Sequence, residues 1–505
     1  MKKLNYKAFL MLSIMIFSMG SFFLVGGAVN VSAKSEPKTS ADVALNIIVT
    51  DQQLPGVENV TGPGGAFWSS PLSHGISSVT VSPSGTNAND QLTTLTTAMA
   101  AGSTTYDVLG LDVVWTAQFA SNGWIIPLDS YVTTAEMDNF TAGMVDACTY
   151  NGHYYAYPYF MNLGILYYRK DLMDQYGFTP SDFATWEGLN HTANVILNNQ
   201  SGTLQNTNLV GYVSQFDNYE GGVVNFFEIA ASNGANNLIS GNNVNIAGNA
   251  KLEKAMTFFQ KLVPPQYTGV QGNLTQHYAN GTLNPENTAY NPYIIPRNGL
   301  VMDEGSSGNT WLANNSIFCR QWTYIYDLSV TNKIDFGVAP LPHFAGATDY
   351  KTSCVGGAIL AIPKFIDSAH RAAAVNLTKY LGMPTAQKAE LEVVSNFPAL
   401  KSIYTNPPPG YGWIKNWTDQ LDQTLSRPVE ADYPLISTAI SNDFSNIMAG
   451  GKTVTQGLSD MQSNIEDILA GAPTVPGIPG YEIGLILIVS ISTLGIIIMI
   501  RKLYK

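Results

Sequence analysis

The chain has 505 residues, a net charge of −12 and only 12% charged residues, about half the share of an ordinary soluble domain. That balance excludes the basic face that nucleic-acid binding needs, so no nucleic acid is expected as a partner. Three cysteines allow at most one internal disulfide, and there is no C-x-x-C pair or i, i+4 histidine pair, so neither a structural zinc nor any other cofactor is expected.

In chain order, Lys2, Lys3 and Lys7 precede an apolar stretch from Ala8 to Val29. Val31-Ser32-Ala33 then has the small-residue spacing of a signal-peptidase site, so residues 1–33 read as a secretory signal peptide, with an uncleaved anchor as the alternative. Ala44–Thr50 and Ser78–Ser82 read as strands, and Asp90–Ala101 as a helix closed by Gly102. Val108, Leu109 and Leu111 form a short apolar run, the pattern of a strand covered on both faces. Asp112 falls at its carboxyl end, Trp115 follows, and a short helix runs from about Thr116 to a stop at Gly123. Ligands of open α/β sheets bind beyond the carboxyl ends of the strands. A carboxylate beside an aromatic face there suits a polyhydroxylated ligand.

Further along, Gly164–Tyr168 is a short strand, Thr185 caps a helix through Trp186, Leu189, Ala193 and Ile196, and Lys251–Val263 repeats the helical period. Ala369–Leu381 is a helix, and Ser437–Ala449 and Thr455–Leu469 form a closing pair around Gly450-Gly451. Asn233–Asn249 and Gly269–Asn298 are polar loops. The alternation predicts α/β layers with mainly parallel sheets. Gly471–Gly480 is a Pro/Gly linker reaching about 30 Å at most. Ile483–Ile500 carries no charge and would span about 27 Å as a helix; Arg501, Lys502 and Lys505 follow. Residues 481–500 are thus expected to anchor the chain, 501–505 to be cytoplasmic, and the body to face the outside.

An outside location agrees with the acceptor sequons at Asn59, Asn139, Asn190, Asn199, Asn273, Asn280, Asn314, Asn376 and Asn416, which make the chain a candidate glycoprotein. The low charge raises the hypothesis of an acidic working medium, which loss of the fold at low pH would contradict. Among Cys148, Cys319 and Cys354, the pairing expected is Cys319 with Cys354. No G-x-S-x-G or H-E-x-x-H occurs, and Gly451-Lys452-Thr453 imitates the end of a P-loop but follows a helix, so it reads as a helix cap.

Several motifs, in order, carry a resemblance. Tyr106–Asp129 (YDVLGLDVVWTAQFASNGWIIPLD), Asn151–Tyr176 (NGHYYAYPYFMNLGILYYRKDLMDQY), Thr185-Trp186-Glu187, Phe336–Pro342 (FGVAPLP) and Gly356-Gly357 through Pro363 resemble segments of the sugar-binding solute-binding proteins of ABC importers, the maltose/trehalose-binding group. The resemblance covers most of 42–470. It implies a two-lobed α/β fold that closes on its ligand at hinge crossings. Lobe 1 would hold 42–160 and 336–395, and lobe 2 would hold 162–330 and 400–470. Tyr157–Asn162 would lie at the first crossing and Asn396–Leu400 at the third.

The same resemblance implies a site. Asp112 would accept from ligand hydroxyls, with Trp115 lining the cleft. Trp322 and Tyr324, two apart, would face one way in an extended segment and stack on a sugar ring. Tyr219 and Glu220 would enter the cleft at a helix start, Tyr159 and Asn162 beside the first crossing, and Gly356 and Gly357 would let backbone N–H groups approach the ligand. Two departures stand out: Ala358 occupies the place of the family's Trp, and Leu400 that of its Arg. The loop after the first strand could supply a replacement donor, and Gln52 and Gln53 are the side-chain amides there. The function implied is a non-enzymatic, anchored, monomeric ectodomain that binds a carbohydrate, expected to be an oligosaccharide, and hands it to ABC permease subunits in the membrane. A peptide or polyol receptor, a sensor or adhesin on the same fold, and a surface glycoside hydrolase are the alternatives.

Overall fold

The computed structural model describes residues 42–85, 87–200, 208–265, 293–421 and 424–471. The expected signal peptide, membrane anchor, cytoplasmic tail and nearly all of the linker lie outside them. Among the described residues no helix is long and apolar enough to cross a membrane.

Eleven strands build two sheets: β1 (Val43–Val49), β2 (Ile76–Pro83), β3 (Val108–Asp112), β4 (Ala156–Leu163), β5 (Ile165–Arg169), β6 (Val210–Val213), β7 (Ser316–Gln321), β8 (Phe336–Ala339), β9 (Ser353–Ala361), β10 (Phe397–Pro398) and β11 (Thr424–Leu425). The first sheet has seven strands in the order β10-β4-β9-β3-β1-β2, with β11 beside β9. Its β1, β2 and β3 are parallel, and β9 runs antiparallel to β3 and β4. Ile47, Ile48, Val108, Leu109 and Leu111 have no solvent exposure, as the unbroken apolar runs require of strands covered on both faces. Helix Ala88–Ala100 begins where Asn87 accepts from the Asp90 N–H at 3.0 Å, and the chain turns away at Gly102, whose φ is +65°.

β4 runs almost directly into β5, which belongs to the second, four-stranded sheet, in the order β8-β5-β7-β6. Gly164 is the only residue between them. A Cβ at Gly164 would lie 2.3 Å from Glu228 Oε1 and 2.4 Å from Arg320 Nη2, so only glycine lets the crossing pass the buried ion pair. Side chains then alternate: Ile165 and Tyr167 enter the first core, Leu166 the second. Helices Trp186–Gln200, Glu220–Ser232, Ala250–Lys261, Tyr433–Ala449 and Val454–Leu469 pack in the second core. The Thr185 hydroxyl caps the first of these, accepting from the Gly188 N–H at 3.1 Å. Gly450, at φ +77°, closes Tyr433–Ala449, and Lys452 is held by Asp443 and Asp460 at 2.6 and 2.8 Å. The P-loop imitation is a helix cap.

Four expectations need correction. β8 pairs with β5 in the second sheet, so 336–339 sits in lobe 2 and the chain returns to lobe 1 between β8 and β9. Residues 400–417 pack in the first core rather than the second: Leu400, Ile403, Tyr404, Ile414 and Trp417 are buried there, and Tyr404 donates to the Pro398 carbonyl at 3.0 Å. β10, within the expected third crossing at Asn396–Leu400, is instead an edge strand on β4, and the third passage is 426–432. Motif order along the chain does not say which sheet edge a segment docks on. The fourth correction concerns sulfur. All three cysteines are free and buried: Cys319 is in the second sheet, while Cys354, on β9, reaches the Val224 carbonyl at 3.7 Å.

Candidate functional site

β3 ends at Asp112, whose Oδ1 accepts from the Val114 N–H at 3.2 Å, so the carboxylate is tied to its own turn. The guanidinium of Arg427 meets it: Nη2 donates to Asp112 Oδ1 and to the Val355 carbonyl, both at 3.3 Å, and Nη1 donates to Glu220. Glu220 opens helix Glu220–Ser232 and also accepts from the hydroxyls of Tyr433 and Ser437, each at 2.5 Å. Side-chain exposure falls from 20% at Asp112 to 8% at Glu220 and 2% at Arg427. Burial pushes the Asp112 carboxyl above its usual range, opposed by the adjacent Arg427 charge. Asp112 comes from lobe 1 and Glu220 from lobe 2, so Arg427, in the passage between them, ties the lobes together.

Trp322 forms the facing wall. The Arg320 guanidinium lies 4.0 Å from its ring centroid, held in a fork by Glu228 at 2.7 and 2.8 Å and by Gln215 at 2.8 Å. The indole Nε1 donates to Glu304 at 3.3 Å. A Cβ on Gly356 would come within 2.9 Å of this ring, so glycine is what admits it. Gly357 has φ +116° beside the register shift after Ala358, and a Cβ there would strike the Phe160 carbonyl at 2.3 Å. The two glycines therefore have packing roles as well as lining a cleft of about 110 Å³ with Asp112, Glu220, Asn162 and Trp322. Asn162 also accepts from the Thr323 hydroxyl at 2.6 Å.

The remaining expected residues lie elsewhere. Trp115 is 2% exposed and, with Tyr219, lines a neighbouring compartment of about 210 Å³ that shares Glu220 with the cleft. Tyr219 donates to Glu304 at 2.5 Å. Tyr159 points away from the cleft, into the core, and donates to Glu390 at 2.7 Å. It stands three residues from Asn162 on one strand, and strand parity puts such residues on opposite faces; Phe160 lines the cleft instead. Tyr324 does not share a face with Trp322, because β7 ends at Gln321 and the chain turns into helix Ile325–Thr331; its hydroxyl reaches the Glu304 carbonyl at 3.3 Å.

Arg427, Glu304, Phe160 and Asn396 line the cleft without having been expected. Gln52 and Gln53 both line it, Gln53 accepting from the Thr50 N–H at 3.2 Å. Leu400 is buried in lobe 1, its N–H donating to Gln387, and Ala358 pairs with Asp112 across the sheet. The cation absent at Leu400 is thus present at Arg427. No local sequence signal singles Arg427 out, because the chain holds 25 lysines and arginines.

A two-lobed α/β fold with its polar and aromatic groups gathered between the lobes defines a class, and residues 73–418 match the model of the bacterial extracellular solute-binding proteins. The chain belongs to that family. It is 28% identical over 313 residues to a probable ABC transporter-binding protein of Deinococcus radiodurans, a match covering 61% of this chain and 65% of that one, under two thirds of the relative's length. Among solved structures, maltose-bound MalE3 of T. maritima superposes with a TM-score of 0.70 at 24% identity, over 84% of this chain and 99% of that one. A solute-binding protein of Thermotoga lettingae bound with α-D-tagatose gives 0.65 at 18% identity, over 84% and 99%. These likenesses share the fold.

Proposed function

We propose that this protein is the membrane-anchored, extracytoplasmic substrate-binding component of an ABC importer, and that it binds a carbohydrate reversibly between its lobes without covalent chemistry. The observation that carries this reading is the placement of Asp112 and the Trp322 indole on one cleft between the two lobes. A carboxylate accepts hydroxyl protons, and an indole face packs against the C–H face of a sugar ring. The resident Arg427 orients Asp112. Family membership supports an extracytoplasmic body, and the uncharged stretch Ile483–Ile500 supports the anchor. The ABC relative supports delivery to membrane permease subunits.

The size of the cleft favours a second reading of the ligand. About 110 Å³ is below the 300–1,000 Å³ typical of pockets for larger ligands. A single sugar ring or a linear polyol suits a cleft of this volume better than an oligosaccharide, which would need wider lobes or the compartment beside Trp115. A thermal-shift screen of the full-length protein against mono- and oligosaccharides, polyols and peptides tests both readings. A ligand at a hundred times its Kd adds about 2.7 kcal/mol of stability. Asp112→Ala and Trp322→Ala should each remove that shift while the unliganded protein still melts cooperatively. A shift by peptides alone would sink the carbohydrate reading.

A further inference from the structure

The charged side chains lining the cleft are Asp112, Glu220, Glu304 and Arg427, three carboxylates against one guanidinium, a formal −3 + 1 = −2. No lysine lines it. Both terminal nitrogens of Arg427 are taken, one by Asp112 and the Val355 carbonyl, the other by Glu220. Glu220 in turn holds three donors, so it and Arg427 offset each other. Two carboxylates remain facing the ligand space. Asp112 uses only Oδ1 among the described residues, leaving Oδ2 free. Glu304 opens helix Glu304–Leu312 and is half-buried; each of its oxygens accepts one hydrogen bond, from Trp322 Nε1 at 3.3 Å and from the Tyr219 hydroxyl at 2.5 Å. A carboxylate oxygen has capacity beyond one donor. Glu304 therefore holds the aromatic wall in place and brings a negative charge to its edge.

We propose, resting on the carbohydrate reading above, that the cleft selects neutral and amino-bearing polyhydroxylated ligands and rejects acidic ones, with Glu304 setting that preference. Hydroxyls donate to Asp112 and Glu304, and an ammonium makes a charge-assisted bond to either. A ligand carboxylate or phosphate meets two like charges where the low dielectric strengthens repulsion. The opposing feature is the Arg427 guanidinium, whose Nε is buried without a partner among the described residues. Its charge is already shared between two carboxylates, so it favours a neutral oxygen.

The test is calorimetric titration of the full-length protein with matched series: glucose, glucosamine and glucuronate; the galactose and mannose counterparts; sorbitol against gluconate; and maltose against maltobionate. In any series whose neutral member binds, the acidic member should bind at least roughly tenfold more weakly, and an amino member as tightly or more tightly. Glu304→Gln, checked for an intact unliganded melt, should lower the neutral-to-acid affinity ratio by roughly tenfold. An acidic member that binds as well as its neutral partner overturns the proposal and leaves the carbohydrate reading standing. An unchanged ratio in Glu304→Gln overturns the role given to Glu304. Binding in no series removes the carbohydrate reading and this proposal with it.

Discussion

Two buried arginines sit near Trp322 and do different work. Arg320 is paired with Glu228 through two parallel hydrogen bonds, extended by Gln215, and Glu228 also accepts from the Cys354 N–H of β9 at 3.2 Å. It is a closed structural unit that backs the indole. Arg427 lies between lobes, leaves Nε without a partner and touches a carboxylate that is 20% exposed. Arg320 thus fixes a wall, whereas Arg427, equally buried, is joined to the cleft through the partly exposed Asp112 that it holds. Glu390 is a third case, a buried carboxyl with no cation beside it. It accepts from Tyr159 at 2.7 Å and from Asn396 at 2.9 Å, in a space that Gly56 leaves by having no side chain.

The contrast can be broken by mutation. Arg320→Ala leaves Glu228 buried without its cation and should cost about 3–5 kcal/mol in denaturant unfolding, with ligand affinity lost as the indole loses its support. A loss near zero would mean that the pair is solvated rather than sealed. Glu390 should produce the next largest effect. Burial raises its carboxyl to about 7 from an ordinary 4.5. Between those values the folded chain keeps a proton that the unfolded chain has released. This contribution is full below pH 4.5 and is lost as pH rises through 7, about 3 kcal/mol in all. Glu390→Gln should flatten that step in melting temperature against pH; an unaltered profile would place the step elsewhere. Arg427→Ala should cost less, about 2 kcal/mol, because Glu220 keeps the Tyr433 and Ser437 hydroxyls. Its larger consequence should be weaker ligand binding with faster release, read by stopped-flow tryptophan fluorescence. Unchanged release kinetics would leave Arg427 a packing role only.

Much of the local structure was legible. The apolar run before Asp112, the stops at Gly102 and Gly123, the Thr185 cap and the helical pair around Gly450 all depend on neighbours in sequence, and each is found within a few residues of its expected place. The site was legible where a single element carries it, as at Asp112 and at Gly356-Gly357. It failed where a residue's direction depended on where its element stops: Tyr324 lies past the end of a strand, and Tyr159 stands on the wrong parity for a cleft that Asn162 faces.

Composition, periodicity and motif order determined the α/β class, the polar carboxylate-and-aromatic chemistry and the family. Tertiary structure alone decided that Arg427, 315 residues from Asp112, is the cation between Asp112 and Glu220, that 400–417 docks in the first core, and that Glu304 stands at the indole edge. The physical reason is range. Strand and helix patterns repeat over a few residues, whereas a cleft is made by strand ends and helix starts that meet only when two sheets face each other.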